Sequence, residues 1–141
     1  MRVFIGGVMQ ASRVDDDIED QGYRNELAAA LNARWPELEV VDPLALHPNS
    51  VTYDDAAAKA TLFALMELAA GCDVLIAYVP QASMGTALEM YVAYQKGIPV
   101  ITITPMRANW VVRALSTRVF PDTAAFLAYA DTLASPEEMV G

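Results

Sequence analysis

Short apolar runs alternate with longer helix-forming stretches along the whole chain. Runs of β-branched and aliphatic residues between turn residues are typical of buried strands, whereas longer periodic stretches predict helices. The runs that predict strands are 2–5, 38–41, 74–79, 100–103 and 118–120. The stretches that predict helices are 21–34, 56–70, 84–96, 109–115 and one that opens at Pro121-Asp122 and ends near 133.

This alternation predicts an α/β fold, a doubly wound five-stranded parallel sheet with helices on both faces. The uniformly apolar run 74–79 is typical of a central parallel strand. Right-handed crossovers and a length of 141 residues favour one domain spanning 1–141 with the flavodoxin-like strand order 2-1-3-4-5. In that order the topological switch point lies between strands 1 and 3, so we expect ligands at loops 6–13 and 80–86.

The loop and helix after the third strand carry the clearest functional pattern. Ser83 suits the N-cap of the 84–96 helix, and Gly97 suits its C-cap. Gly85 and Thr86 then fall in the first turn, where backbone N–H groups have no intrahelical partner and a glycine allows close approach of a ligand. Glu89 follows Gly85 by four residues and Thr86 by three, so these side chains share one helix face.

Glu89 is the only charged residue between Asp73 and Lys96. A carboxylate in so apolar a stretch needs a partner, a raised pKa or a chemical role. One interpretation is catalytic, and the other is a structural ion pair with Arg24 or Arg113.

The loop after the first strand is the expected opposite wall of the site. Gly6 and Gly7 allow close approach of a ligand, although a plain tight turn has the same pattern, and Gln10 lies within this loop. Further candidates from neighbouring segments are Gln21, Tyr23, Arg24, Asp42 and Asp54. His47 has no companion ligands at suitable spacing and Cys72 adjoins an apolar strand, so we expect no metal site and no cofactor.

The composition of the chain limits which classes of molecule it can bind. Hydrophobic residues make up 55% of the chain and charged residues only 19%, an apolar excess that predicts self-association. A formal net charge of −9 disfavours nucleic acid polymers and acidic membrane surfaces, yet a helix N-terminus can still hold a small anion. The single cysteine, the absence of a run long enough to span a bilayer and an N-terminus unlike a signal peptide predict a cytoplasmic protein.

Three motifs together resemble the nucleoside 2-deoxyribosyltransferase superfamily, which includes nucleotide N-glycosidases. They are Arg2-Val3-Phe4-Ile5-Gly6-Gly7, Cys72-Asp73-Val74-Leu75-Ile76-Ala77 and Ser83-x-Gly85-x-x-x-Glu89. The resemblance implies cleavage or transfer at the N-glycosidic bond of a nucleoside or nucleoside 5′-monophosphate. It makes Glu89 the nucleophile at C1′ of the sugar, with Ser83 and Gly85 at the 5′ end.

The resemblance also implies a homo-oligomer whose site is completed by a neighbouring chain. The corresponding region runs from 105 to 116 and contains Asn109 and Ser116.

The sequence departs from the superfamily pattern at three points. Phe4 stands where the family has a tyrosine, and Leu65 stands where it has a helper aspartate. Val8 and Gln10 replace the serine and arginine that hold the phosphate in the nucleotide-cleaving branch, with Ser12 and Arg13 nearby. The departures at Phe4 and Leu65 motivate a second hypothesis, a non-catalytic nucleotide-binding or regulatory module on the same fold.

Overall fold

The computed structural model describes residues 1–15 and 17–141, in which strands and helices alternate as predicted. The strands are β1 (Arg2–Gly7), β2 (Glu39–Val41), β3 (Val74–Tyr78), β4 (Val100–Ile103) and β5 (Arg118–Phe120). The helices are α1 (Gly22–Arg34), α2 (Pro43–Leu46), α3 (Asp55–Ala70), α4 (Met84–Gln95), α5 (Trp110–Leu115) and α6 (Thr123–Thr132), with 3₁₀ turns at Ser50–Thr52 and Pro136–Met139.

All four strand pairings are parallel, and the order is β2-β1-β3-β4-β5, which confirms the predicted sheet. In the register of β1 on β3, Gly7 lies opposite Tyr78. The carboxyl ends of these two central strands therefore end side by side. The loops that follow them start at the same edge of the sheet, which is the predicted switch point.

The sheet is covered on both faces, so side chains that alternate along each strand enter two different cores. Val3 and Ile5 of β1 pack with Leu27 of α1 and Phe126 of α6 in one apolar cluster. The intervening Phe4 packs with residues of the opposite face, among them Leu75 and Met90.

The main departure from the predicted elements is α2, a short helix inside a segment expected to be a loop. Asp42 has an extended backbone and its carboxylate accepts a hydrogen bond from Leu44 N at 2.9 Å, while Pro43 occupies the first helical position. This N-cap and proline pair favours a helix start even where the apolar pattern is too short to indicate one. The turn matters because it brings Pro43 to the wall of the cleft described below and places Asp42 beside Arg24 beneath it.

Helix α4 forms as the sequence predicts. The Ser83 hydroxyl accepts a hydrogen bond from Thr86 N at 3.3 Å, and Gly97 adopts a positive φ of 71° just beyond the helix. Across residues 1–15 and 17–141, no helix combines the length and the apolar character needed to cross a membrane.

Candidate functional site

A cleft opens at the carboxyl edge of β1 and β3, where the two central loops meet the first turn of α4. It has a volume of about 200 Å³. Its walls come from the first loop, α1, the start of α2, the middle of α3 and the start of α4. The lining residues are Gly7, Met9, Gln10, Ala11, Arg24, Pro43, Leu62, Leu65, Ser83, Met84, Gly85, Thr86 and Glu89.

Glu89 lies at the buried end of this cleft. Its side chain is only 8% exposed, and its Oε2 atom has no hydrogen-bond partner in the part of the chain that the structure describes. Burial raises the pKa of Glu89 to about 8, while the nearby Arg24 charge opposes that rise. The expected alternative of an ion pair with Arg24 or Arg113 is not formed among the described residues. The carboxyl is therefore buried and without a partner among the described residues, and its neutral form is favoured over the anion.

Glycine at position 6 is what lets Glu89 reach the sheet. A Cβ atom on Gly6 would lie 2.5 Å from Glu89 Oε2 and 3.6 Å from Cε1 of Phe4. Any side chain there would displace the carboxyl, so this glycine serves a close approach. Phe4 presents a ring at the position where the superfamily pattern has a tyrosine.

The first turn of α4 forms the polar wall of the cleft. The Ser83 and Thr86 hydroxyl oxygens are 2.8 Å apart and hydrogen-bonded to each other. A Cβ on Gly85 would meet no atom within 4 Å, so the backbone there faces open space in the described chain. Ser83, Gly85, Thr86 and Glu89 thus come together as the sequence spacing predicts, with their roles in binding still predictions.

The opposite wall contains Gly7 and Gln10, as expected, whereas Tyr23 lies behind that wall. The Tyr23 hydroxyl donates to Val8 O at 3.1 Å, and its ring stacks on Tyr78 with 4.1 Å between centroids. Burial also raises the pKa of Tyr23. Tyr23 supports the glycine loop from below and does not line the cleft.

From the sequence, Arg24 is one of several residues expected near the pocket and one of two candidate ion-pair partners of Glu89; in the structure it is a central feature of the site. It is 2% exposed and lines the cleft. Its guanidinium donates to Ile5 O at 2.9 Å, Gly7 O at 3.3 Å and Gln21 Oε1 at 2.7 Å. Nη1 also donates to Asp42 Oδ1 at 3.2 Å, which forms a mostly buried ion pair.

A signal for Arg24 was present in the sequence. Arg24, Leu27 and Leu31 follow the 3, 4 spacing of the buried stripe of α1, and all three are buried. An arginine in such a stripe must find acceptors and a counter-charge. Asp42 is that counter-charge, and its carboxylate also caps α2. The two residues link the ends of β1 and β2 beneath the cleft.

Two predicted residues, Asn109 and Ser116, lie away from this cleft within one chain. Asn109 caps α5 through hydrogen bonds from Val111 N and Val112 N, and it lines a separate, mainly apolar cavity of about 190 Å³ on the other flank of the α4 start. The Ser116 hydroxyl is 2.6 Å from Thr102 Oγ1. Their assignment to the site depends on a neighbouring chain and stays a prediction.

The remaining candidates have local structural roles. His47 Nδ1 is 2.9 Å from the Tyr53 hydroxyl, Asp54 caps α3 by accepting from Ala57 N, and the Cys72 thiol donates to Leu68 O. Burial raises the pKa of Cys72. Among residues 1–15 and 17–141, no group of three His, Cys, Asp or Glu side chains is arranged to hold a metal ion.

Comparison with solved structures identifies proteins of the same fold. A 2-deoxyribosyltransferase from the psychrotolerant bacterium Bacillus psychrosaccharolyticus matches 99% of this chain and 96% of its own, with a TM-score of 0.68 and 14% identity. A conserved protein from Enterococcus faecalis V583 matches 94% of this chain and 98% of its own, with a TM-score of 0.65 and 19% identity. No protein-family model and no curated protein sequence matches the chain.

These matches confirm, for the fold, the resemblance drawn from the sequence. The five-stranded α/β fold is shared with these two solved proteins over nearly the whole chain.

Proposed function

We propose that this chain cleaves or transfers at the N-glycosidic bond of a nucleoside or nucleoside 5′-monophosphate, with Glu89 as the nucleophile. The observation that carries the proposal is the buried Glu89 carboxyl, whose Oε2 has no partner in the described chain and which lines a cleft at the switch point. Burying an unpaired carboxyl lowers stability, so its retention in a cleft favours a chemical role. The shared fold with a 2-deoxyribosyltransferase supports the same assignment.

The chemistry needs the Glu89 carboxylate, a proton from solvent for the leaving base, and a second substrate. Cleavage of the bond from C1′ to the base nitrogen passes through an oxocarbenium-like state, which an adjacent carboxylate stabilises or traps. The carboxylate forms a bond to C1′, and the electron pair of the broken bond leaves with the base, which takes up a proton. Attack by water then releases the free sugar and regenerates the carboxylate. Attack by a second base instead gives a new nucleoside.

The raised pKa of Glu89 sets a condition on this mechanism. A nucleophile must be ionised, so a pKa of about 8 leaves most free protein in the inactive form at pH 7. A bound ligand or neighbouring chain that donates a hydrogen bond to Oε2 would favour the anion. The hydroxyl of the family's tyrosine, replaced here by Phe4, would have that effect.

We further propose that a second copy of the chain completes the site. Met84, Leu88 and Tyr91 form an exposed apolar stripe along α4 at i, i+4 and i+7, and Met84 at one end also lines the cleft. Phe63 is exposed on the adjacent α3. The cleft volume of about 200 Å³ is below the range of about 300–1,000 Å³ usual for ligand pockets, as expected of a site with a missing wall.

The test of catalysis is base release, followed by chromatography, from a panel of ribo- and deoxyribonucleosides and their 5′-monophosphates, with and without an acceptor base. Glu89→Ala should abolish release while the protein stays folded. Glu26→Ala removes an exposed glutamate from α1 and serves as the matched control, which should retain activity. Release that persists at the wild-type rate in Glu89→Ala would exclude the nucleophile assignment.

The test of the neighbouring copy uses the far end of the stripe. Tyr91→Lys places a charge in the apolar stripe, so it should shift the oligomer to monomer, as measured by light scattering, and reduce turnover. Because Tyr91 lies about two helical turns from Met84, the loss of turnover would come from loss of the neighbouring chain and not from a direct change in the cleft. A wild-type chain that is monomeric and fully active would rule out the second copy.

The second candidate function is a non-catalytic nucleotide-binding module. Two observations favour it: Phe4 and Leu65 bring no polar group to Glu89, and burial raises the pKa of the carboxyl, which disfavours the ionised form that a nucleophile needs. On this hypothesis a nucleoside or nucleotide binds, no base is released, and Glu89→Gln binds as tightly as the wild type. Measurable base release would end it.

A further inference from the structure

We infer that the cleft accepts a nucleoside with a free 5′-hydroxyl and discriminates against its 5′-monophosphate, because the arginines near the cleft are neutralised by carboxylates of the same chain. The inference rests on the proposed function and narrows its substrate class. A 5′-phosphate carries nearly two negative charges at neutral pH, and proteins usually meet it with arginine, lysine or free backbone N–H groups.

Arg24 is the only cationic side chain lining the cleft in the part of the chain that the structure describes. Its charge is already compensated by Asp42, 3.2 Å from Nη1. Three further hydrogen bonds, to Ile5 O, Gly7 O and Gln21 Oε1, hold the guanidinium beneath the glycine loop. It therefore has one N–H left of the five that a guanidinium carries, and no uncompensated charge.

Arg13, the other arginine near the first loop, faces its own segment. Nε and Nη2 donate to the two carboxylate oxygens of Asp15 at 2.9 and 3.0 Å. Glu19 Oε1 lies 3.5 Å from Nη1, and Asp17 Oδ2 lies 3.7 Å from Nη2. Three carboxylates of the described residues thus surround one guanidinium, and a phosphate would have to displace a bidentate pair to reach it.

Some of the hydrogen-bonding groups in the first turn of α4 already have partners without a ligand. Ser83 Oγ accepts from Thr86 N, and the two hydroxyls are bonded to each other, so the cap occupies an N–H that an anion would use. A neutral 5′-hydroxyl needs no compensating charge and only one or two hydrogen bonds, which the exposed backbone of this turn or the Ser83 hydroxyl can supply.

A bound phosphate would also oppose the ionisation of Glu89. Gly85 and Glu89 are four residues apart, about 6 Å along the helix axis. An anion held at Gly85 would disfavour the carboxylate form that the proposed chemistry requires. The net charge of −9 acts in the same direction at longer range.

The experiment compares matched pairs, each a nucleoside and its own 5′-monophosphate, by kcat/KM for base release and by calorimetric binding to Glu89→Gln. We expect the nucleoside to exceed its monophosphate by at least about tenfold in both measurements, which corresponds to about 1.4 kcal/mol. Equal values, or preference for the monophosphate, would overturn the inference. Selective nucleoside binding without base release from the wild type would refute the proposed function and support the selectivity. Binding of neither compound would refute both.

A charge-releasing variant tests the stated cause. Asp42→Asn retains an oxygen for Leu44 N and Arg24 but removes the compensating charge, so the nucleoside preference should narrow by about threefold or more as Arg24 attracts the phosphate. Asp131→Asn makes the same charge change on the exposed face of α6 and should leave the preference unchanged. An unchanged preference in Asp42→Asn, or an equal narrowing in Asp131→Asn, would show that Arg24 neutralisation is not the cause.

Discussion

Replacing Glu89 with glutamine should make this protein gain stability relative to the wild type as the pH rises. The Glu89 carboxyl is 8% exposed, and its Oε2 has no partner among the described residues. Burial therefore penalises its ionised form, and its pKa rises from 4.5 in the unfolded chain to about 8 in the folded one. Glutamine keeps the shape of the side chain but has no proton to lose. The difference between the two proteins isolates the cost of this single ionisation.

The sign and the size follow from linkage. Below pH 4.5 the carboxyl is protonated in both the folded and unfolded states, so its ionisation costs nothing. Between pH 4.5 and about 8 only the unfolded state ionises, and the wild type loses stability as the pH rises. Each tenfold change in proton affinity is worth about 1.4 kcal/mol, so the loss is about 3 kcal/mol at pH 7 and about 5 kcal/mol above pH 8.

The assay is urea unfolding of the wild type and Glu89→Gln at a series of pH values from 4 to 9. The NH₂ group of the glutamine, where it replaces Oε2, finds no hydrogen-bond acceptor among the described residues. This lowers the free energy of unfolding by about 1–3 kcal/mol, but that cost does not vary with pH. The informative quantity is therefore the change in the difference with pH, and the other titrating groups largely cancel in it. By pH 7 the variant should gain about 3 kcal/mol on the wild type relative to pH 4, or about 10 °C in Tm.

A difference that stays flat across this pH range would refute the reasoning. It would mean that the carboxyl of the folded protein is hydrated or paired, and that its pKa is close to the ordinary value. The exposed Glu26→Gln on α1 is the matched control and should show no such pH dependence.

Three further predictions test the same site. With Glu89 as nucleophile, kcat/KM for base release should rise with pH to a midpoint near 8; a profile that falls with pH over this range would instead indicate a general acid. Gly6→Ala should abolish base release, since its Cβ would crowd Glu89 Oε2 and displace the carboxyl, but it should lower the free energy of unfolding by less than about 1 kcal/mol because the displaced atom ends a flexible side chain. Gly85→Ala, with open space around its Cβ in the described chain, should leave stability unchanged or raise it. Ser83→Ala should lower stability by about 1 kcal/mol through loss of the α4 cap, measured by urea unfolding; Ser83→Gly should cost only a few tenths.

The sequence determined the sheet and the α4 half of the site because both depend on local patterns. Apolar runs separated by helices predict a parallel sheet, and the handedness of the crossovers limits the strand order. The positions of Ser83, Gly85, Thr86 and Glu89 follow from helix geometry once Ser83 is taken as the N-cap. All four lie within one continuous element, so no tertiary information was needed to bring them together.

Only the tertiary structure decided what surrounds the carboxyl. Gly6 comes from β1, Arg24 from α1 and Asp42 from the end of β2, and their proximity depends on strand register and helix packing. The structure also distinguished a buried Glu89, unpaired among residues 1–15 and 17–141, from the ion pair with Arg24 or Arg113 that the sequence left open. Charge compensation depends on distances of about 3 Å between residues 18 positions apart in the chain. A linear pattern carries no such distances, and for that reason the electrostatics of the cleft had to be read from the fold.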